Sequence, residues 1–109
     1  MQLECIPADG ELTAVLKGEL DHHAAGEIRE RIDTAVLSRR YQRLVLDFGG
    51  LTFMDSSGIG LIMGRYRLML SLGGKLTVRG ASPRLETVMK LAGLEKLPIW
   101  GEKGKEETT

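Results

Sequence analysis

A disulfide framework is excluded at once, because Cys5 is the only cysteine in 109 residues. It lies in an apolar, strand-like segment, reads as a packed thiol and fits a reducing compartment. Aromatic residues are scarce: two tyrosines, two phenylalanines and one tryptophan offer no platform for stacking bases. An excess of one charge is missing too. Fifteen basic residues cancel fifteen acidic ones, which argues against general affinity for nucleic acid or an anionic membrane surface. No stretch approaches the ~20 apolar residues of a membrane span, and Glu4 and Asp9 interrupt any apolar start of a signal peptide. The expectation is a cytoplasmic protein with no membrane partner and no direct nucleic-acid partner.

What is present suits one compact domain, with 42% hydrophobic and 28% charged residues. Met1 to Ala8 reads as a strand, "DG" at Asp9 and Gly10 as a hairpin turn, and "ELTAVLKGEL" as the returning strand. Ala24, Ile28, Ile32 and Ala35 make a helical stripe, with Asp21 ahead of it as a cap and Arg39 and Arg40 past its end. "RLVLDFGG" suits a strand buried on both faces, followed by a helix beginning around Ser57 that ends at Gly73 and Gly74. "KLTVRG" is a strand, and "SPRLETVMKLAGL" a helix capped by Ser82, with Pro83 in its first turn and Gly93 just beyond it. "LPIW" has the character of a short edge strand. The order β-β-α-β-α-β-α implies an α/β fold with a mixed, mostly parallel sheet of four to five strands and packed helices. The domain is expected over residues 1–100, and the polar tail 101–109 is expected to be disordered.

The stretch "FMDSSGIGLIMGRYRLML" is richer than a turn and a helix require. It sits at the carboxyl end of a strand, where open α/β sheets meet ligands and partners. With Ser57 at zero and about 100° per residue, Ile59, Ile62, Met63, Tyr66, Met69 and Leu70 fall at about 120–240°, a complete core-facing stripe. Leu61, Gly64 and Leu68 fall within about 40° of Ser57, with Arg65 and Arg67 flanking them. Either another element of the fold covers this second stripe, or it is scattered surface leucine, or it is a docking face for a partner. Gly60 and Gly64 would let another chain approach closely, at about 1 kcal/mol each against alanine. A serine at the top of that face could act as a switch, since a phosphate adds about −1.5 to −2 charges. The helix N-terminus would tolerate the phosphate locally, so the partner would feel the change.

Competing chemistries lack their residues. "MDSSG" has no first glycine for a G-x-S-x-G nucleophile elbow, and no oxyanion loop is evident. "GIGLIMG" has the wrong spacing for a dinucleotide loop and lies inside an apolar helix, while "GGK" is a turn before a strand. His22 and His23 are adjacent and point to different sides, with no further Cys or His nearby to complete a metal site. No catalytic residue, metal or cofactor is expected, and the chain reads as a non-enzyme.

"LKGELDHHAA", "LVLDFGGLTFMDSSGIGLIMGRYR" and "SPRLETVMKLAGLEKL" resemble the STAS domain of bacterial anti-sigma factor antagonists, those of sporulation above all, over about residues 3–100. The resemblance implies a module that, unphosphorylated, binds an anti-sigma factor that is also an ATP-dependent serine kinase, and so frees a sporulation sigma factor. Phosphorylation of the second serine of D-S-S-G ends binding and a serine phosphatase restores it. The residues alone leave Ser56 and Ser57 both open, although a serine used as an N-cap would be the poorer acceptor. The resemblance implies Ser57, with Asp55 and Ser56 shaping the turn before it, Gly58 beside it, and Glu19, Asp21 and His22 as a second contact. With Leu61, Gly64, Arg65 and Leu68 these complete the expected partner-binding set, on a chain expected to be monomeric when free. The alternative is a constitutive STAS scaffold in a stress-signalling complex. The closing "GEKGKEETT" lacks the apolar residues of the family's final amphipathic helix.

Overall fold

In the computed structural model, which describes residues 1–101, Asp9 and Gly10 make the turn that their dipeptide signals. Gly10 takes φ +73, and β1 (Gln2–Ala8) pairs antiparallel with β2 (Glu11–Leu20) from Ala8↔Glu11 outward. α1 (Ala25–Arg39) leads to β3 (Arg43–Met54), α2 (Ser56–Ser71) leads to β4 (Lys75–Arg79), and α3 (Pro83–Leu91) follows. The element order is the expected one. Trp100 adds an isolated parallel bridge to Val78, which is the edge pairing that "LPIW" suggested. The polar tail expected to be disordered lies, from residue 102 on, outside the described residues.

β2–β3 and β3–β4 pair parallel, and the strands lie in space as β1-β2-β3-β4, the order of the chain. Both crossovers therefore step the same way across the sheet. Right-handed connections that step in one direction place their helices on one face. α1 and α2 accordingly pack against each other as well as against the strands.

One hydrophobic cluster results. Leu12, Ala14 and Leu16 of β2, Leu44, Leu46 and Phe48 of β3, and Leu76 and Val78 of β4 meet the buried residues of all three helices. Ile28, Ile32 and Val36 come from α1, with Val36 rather than Ala35 completing its buried stripe. Val45 is buried but stands outside the cluster, on the opposite face with half-exposed Thr13, Val15, Asp47 and Thr77. The expectation that β3 is buried on both faces by packed elements is thus corrected. From Leu44 to Phe48 its even-numbered side faces the core, because both crossovers use that side, and beyond the register shifts Leu51 and Met54 join the same cluster.

A charged contact ties the two neighbouring helices together. Arg65 of α2 is only 6% exposed. Its Nε stands 2.7 Å from Asp33 Oδ1 of α1, and neither atom has a partner in directional hydrogen-bond geometry. Burial pushes the Arg65 guanidinium pKa down, Asp33 opposes that shift, and Arg29 adds to it. Removing one member of such a pair strands the other charge, whereas replacing both with apolar groups need cost little. Asp33→Ala should therefore lower stability by about 3 kcal/mol in urea unfolding, and Asp33→Leu with Arg65→Met should recover most of it.

Candidate partner-binding and phosphorylation site

Parallel pairing brings the carboxyl ends of β2 and β3 together. Leu20 is in register with Met54, and the Asp55 amide donates to the Leu20 carbonyl at 3.3 Å. The loop after β2 and the turn after β3 are therefore neighbours, although they are more than thirty residues apart in sequence. His22 Nδ1 stands 3.7 Å from Asp55 Oδ2. Asp21 caps the turn that precedes α1, its Oδ1 accepting from His23 N at 3.0 Å and Ala24 N at 3.1 Å. Glu19 is exposed and lies in register with Phe53, itself 46% exposed. Three of the residues expected as a second contact, Glu19, Asp21 and His22, thus lie at the same end of the sheet as the serine turn.

Asp55, not Ser56, is the N-cap of α2. Its Oδ1 accepts from Ser57 N at 2.8 Å, so neither serine hydroxyl serves as the cap. Ser56 is exposed and Ser57 half-buried. Desolvation pushes the Asp55 carboxyl up, but the Ser57 amide, the Ser57 side chain and then His22 outweigh it, and the pKa falls below 3.8. The carboxylate is therefore favoured by the folded turn.

The second stripe of α2 is not an open face. Its most buried residues are Gly58, Leu61, Ile62, Arg65 and Met69, an arc of about 40–140° in the same projection. Leu61 is 3% exposed and Leu68 is partly buried against the core, because α1 lies over that side. Leu61 and Arg65, expected at the surface of a docking face, belong to the α1–α2 interface instead. Gly58 serves the fold as well: a Cβ there would run into the Met54 side chain and crowd Leu20. Sheet order, invisible to helical periodicity, moved the stripe inside.

Ser57 nevertheless remains reachable from solvent. It lines a groove of about 330 Å³ between α1 and α2, with Ala25, Gly26 and Arg29 on one wall and Gly60, Leu61, Gly64 and Arg65 on the other. Gly26, Arg29 and the exposed Phe53 were absent from the residues picked out in the sequence. Gly26 had a signal, as a glycine inside a helical stripe with no turn to make. Phe53 was masked by irregular pairing, since register shifts between β2 and β3 break the strand alternation around it.

Comparison with known proteins agrees with this architecture. Residues 3–106 match the STAS domain. The chain belongs to the STAS-domain family. This STAS chain is 39% identical to the anti-sigma F factor antagonist of Paenibacillus polymyxa over 101 residues, 92% of this chain and 86% of that protein. It is similar to the anti-sigma factor antagonist SpoIIAA in its unphosphorylated form (TM-score 0.73, 34% identity, covering 98% of this chain and 92% of that one). The Bacillus cell fate determinant SpoIIAA in the phosphorylated form is also similar (TM-score 0.71, 33% identity, covering 98% and 96%). Among the described residues of this STAS domain, no helix is long and apolar enough to cross a membrane.

Two outcomes follow from the turn. A carboxyl whose pKa is lowered by folding adds stability above its unfolded value, near 3.8, which is lost as pH falls through the lower folded value. Asp55→Asn should keep a cap but flatten the acid limb of the stability–pH curve below about pH 4, read by denaturant titration. Gly58→Ala should destabilise the fold by about 1–3 kcal/mol through overpacking against Met54, seen as a lower urea midpoint.

Proposed function

We propose that the protein is an anti-sigma factor antagonist gated by phosphorylation of Ser57. Unphosphorylated, it binds an anti-sigma factor that is also a serine kinase and so releases a sporulation sigma factor. The kinase transfers the γ-phosphoryl group of ATP to the Ser57 hydroxyl, with ADP leaving and the hydroxyl proton lost. The complex then separates, and a serine phosphatase restores the hydroxyl by hydrolysis. The chain itself supplies a surface rather than chemistry.

The observation that carries this reading is the position of Ser57. It is half-buried at the start of α2, reachable through the α1–α2 groove, and its hydroxyl is not the helix cap. The neighbouring loop with Asp21 and His22 stands at the same end, through the 3.7 Å contact of His22 with Asp55. A small neutral hydroxyl there suits close contact, whereas a phosphate brings about −1.5 to −2 charges to the same spot. The positive pole of the helix N-terminus favours that charge, so the fold persists while the contact is lost. The similarity to both the unphosphorylated and phosphorylated forms of SpoIIAA supports the same assignment. Ser56, exposed and one position away, is the alternative acceptor that the test must separate.

Incubated with the anti-sigma kinase of its own genome and ATP, the native chain should gain a single phosphate, mapped to Ser57 by fragment mass. Ser57→Ala should remain bound, and Ser57→Asp should bind about 100-fold more weakly or worse, the scale of an unpaired charge in an interface. Equal affinity of Ser57→Asp and the native chain would refute the gate and favour a constitutive scaffold.

A further inference from the structure

Glycine inside a helix costs stability, so each one invites the question of what it permits. Most of the described glycines answer within the fold: some take positive φ, and others have neighbours that a Cβ would crowd. Among the described residues only Gly26, Gly60 and Gly64 do neither, having ordinary helical backbone and nothing within 4 Å of an added Cβ. All three line the groove that holds Ser57. Among the described residues no packing contact requires them to be glycine.

The same groove carries unspent positive charge. Arg29 lines it and makes no ion pair or hydrogen bond among the described residues; Arg67, on the adjoining exposed arc of α2, makes none either. Arg65, 6% exposed in the groove wall, is already paired with Asp33 at 2.7 Å and adds no free charge. Asp33 compensates only Arg65.

The geometry points to a slot between α1 and α2, floored by Gly26, Gly60 and Gly64, that receives an acidic α-helix of the anti-sigma partner. This rests on the reading of Ser57 as the gate and specifies which surface it guards. The slot runs from Ser57 to Gly64, about 10 Å or two helical turns. Gly60 and Gly64 stand four apart on one ridge, the spacing at which a second helix can pack closely against the first. Both walls of the groove are helices, with no free strand edge between them, so a helix laid in the groove is the fitting mode. The partner helix brings carboxylates to Arg29 and Arg67. A phosphate on Ser57, at the head of the slot, competes for Arg29 and repels those carboxylates. One ester thereby blocks the slot by bulk and by charge.

The test uses the intact chain and the anti-sigma kinase of its own genome, with ADP to prevent turnover. Gly60→Ala and Gly64→Ala should each raise the Tm of the free chain by about 4 °C, because alanine fits the open helix. Those two variants and Gly26→Ala should each bind the kinase about 10-fold more weakly, because a Cβ intrudes on a tight contact. The Arg29→Gln, Arg67→Gln double variant should bind more weakly and with a shallower salt dependence than the native chain. Alanine variants that bind as tightly as native, while Ser57→Asp still dissociates, would overturn the slot and leave the gate standing. A lower Tm at Gly60→Ala or Gly64→Ala would show that those glycines serve the fold, and would overturn it as well. Failure of the native chain to bind at all would instead refute the gate.

Discussion

Right-handed crossover between parallel strands that follow one another in space governs this molecule. Each crossover must return its helix over the same face, and because β2, β3 and β4 step in one direction, α1 and α2 are forced into contact. The buried Arg65, its Asp33 partner and the sealed Leu61 all follow from that contact. So does the groove beside Ser57, which exists only because two helices run side by side.

The same parallel pairing builds the site. Adjacent strands that run the same way end at the same edge, so the loop carrying Asp21 and His22 meets the turn carrying Asp55 and Ser57. Asp55 organises the turn by taking the Ser57 amide, which sets the start of α2 with the Asp55 carboxylate as the cap. The helix then presents Ser57 at the head of a groove whose walls, Leu61 apart, are small or basic residues. On the proposed reading, such a surface holds a contact while neutral and loses it when a dianion arrives, with little demand on the fold. Regulation of the proposed kind needs no large rearrangement of the domain, only a change at the place where the two molecules would touch.

Much of the fold was legible from local signals. The Asp9–Gly10 turn, the Ser82–Pro83 helix start and the Gly73 and Gly93 stops each appear where their residue types place them. The buried positions Ile28 and Ile32 of α1, and Leu85 and Met89 of α3, follow from helical spacing. In α2 the spacing gave an ambiguous answer. Spacing points to an arc at 120–240° as core, yet the buried arc is centred nearer Arg65, a charged residue that a hydrophobic count discards. Arg65 is inside because Asp33 on another helix compensates it, and that pairing is a property of two elements at once. By residue type Asp55 and Ser56 can each cap a helix, and the structure uses Asp55.

Sequence by itself determined the alternation of strands and helices, their ends, and the presence of a hydroxyl-bearing turn at a strand's carboxyl end, because these depend on contacts within a few residues. Tertiary structure alone decided which side of α2 is covered, that Gly58 serves packing while Gly60 and Gly64 face open space among the described residues, and that Gly26 and Arg29 stand across from Ser57. Those outcomes depend on the lateral order of parallel strands. Helical periodicity reports that a face is apolar but carries no record of which neighbour lies against it.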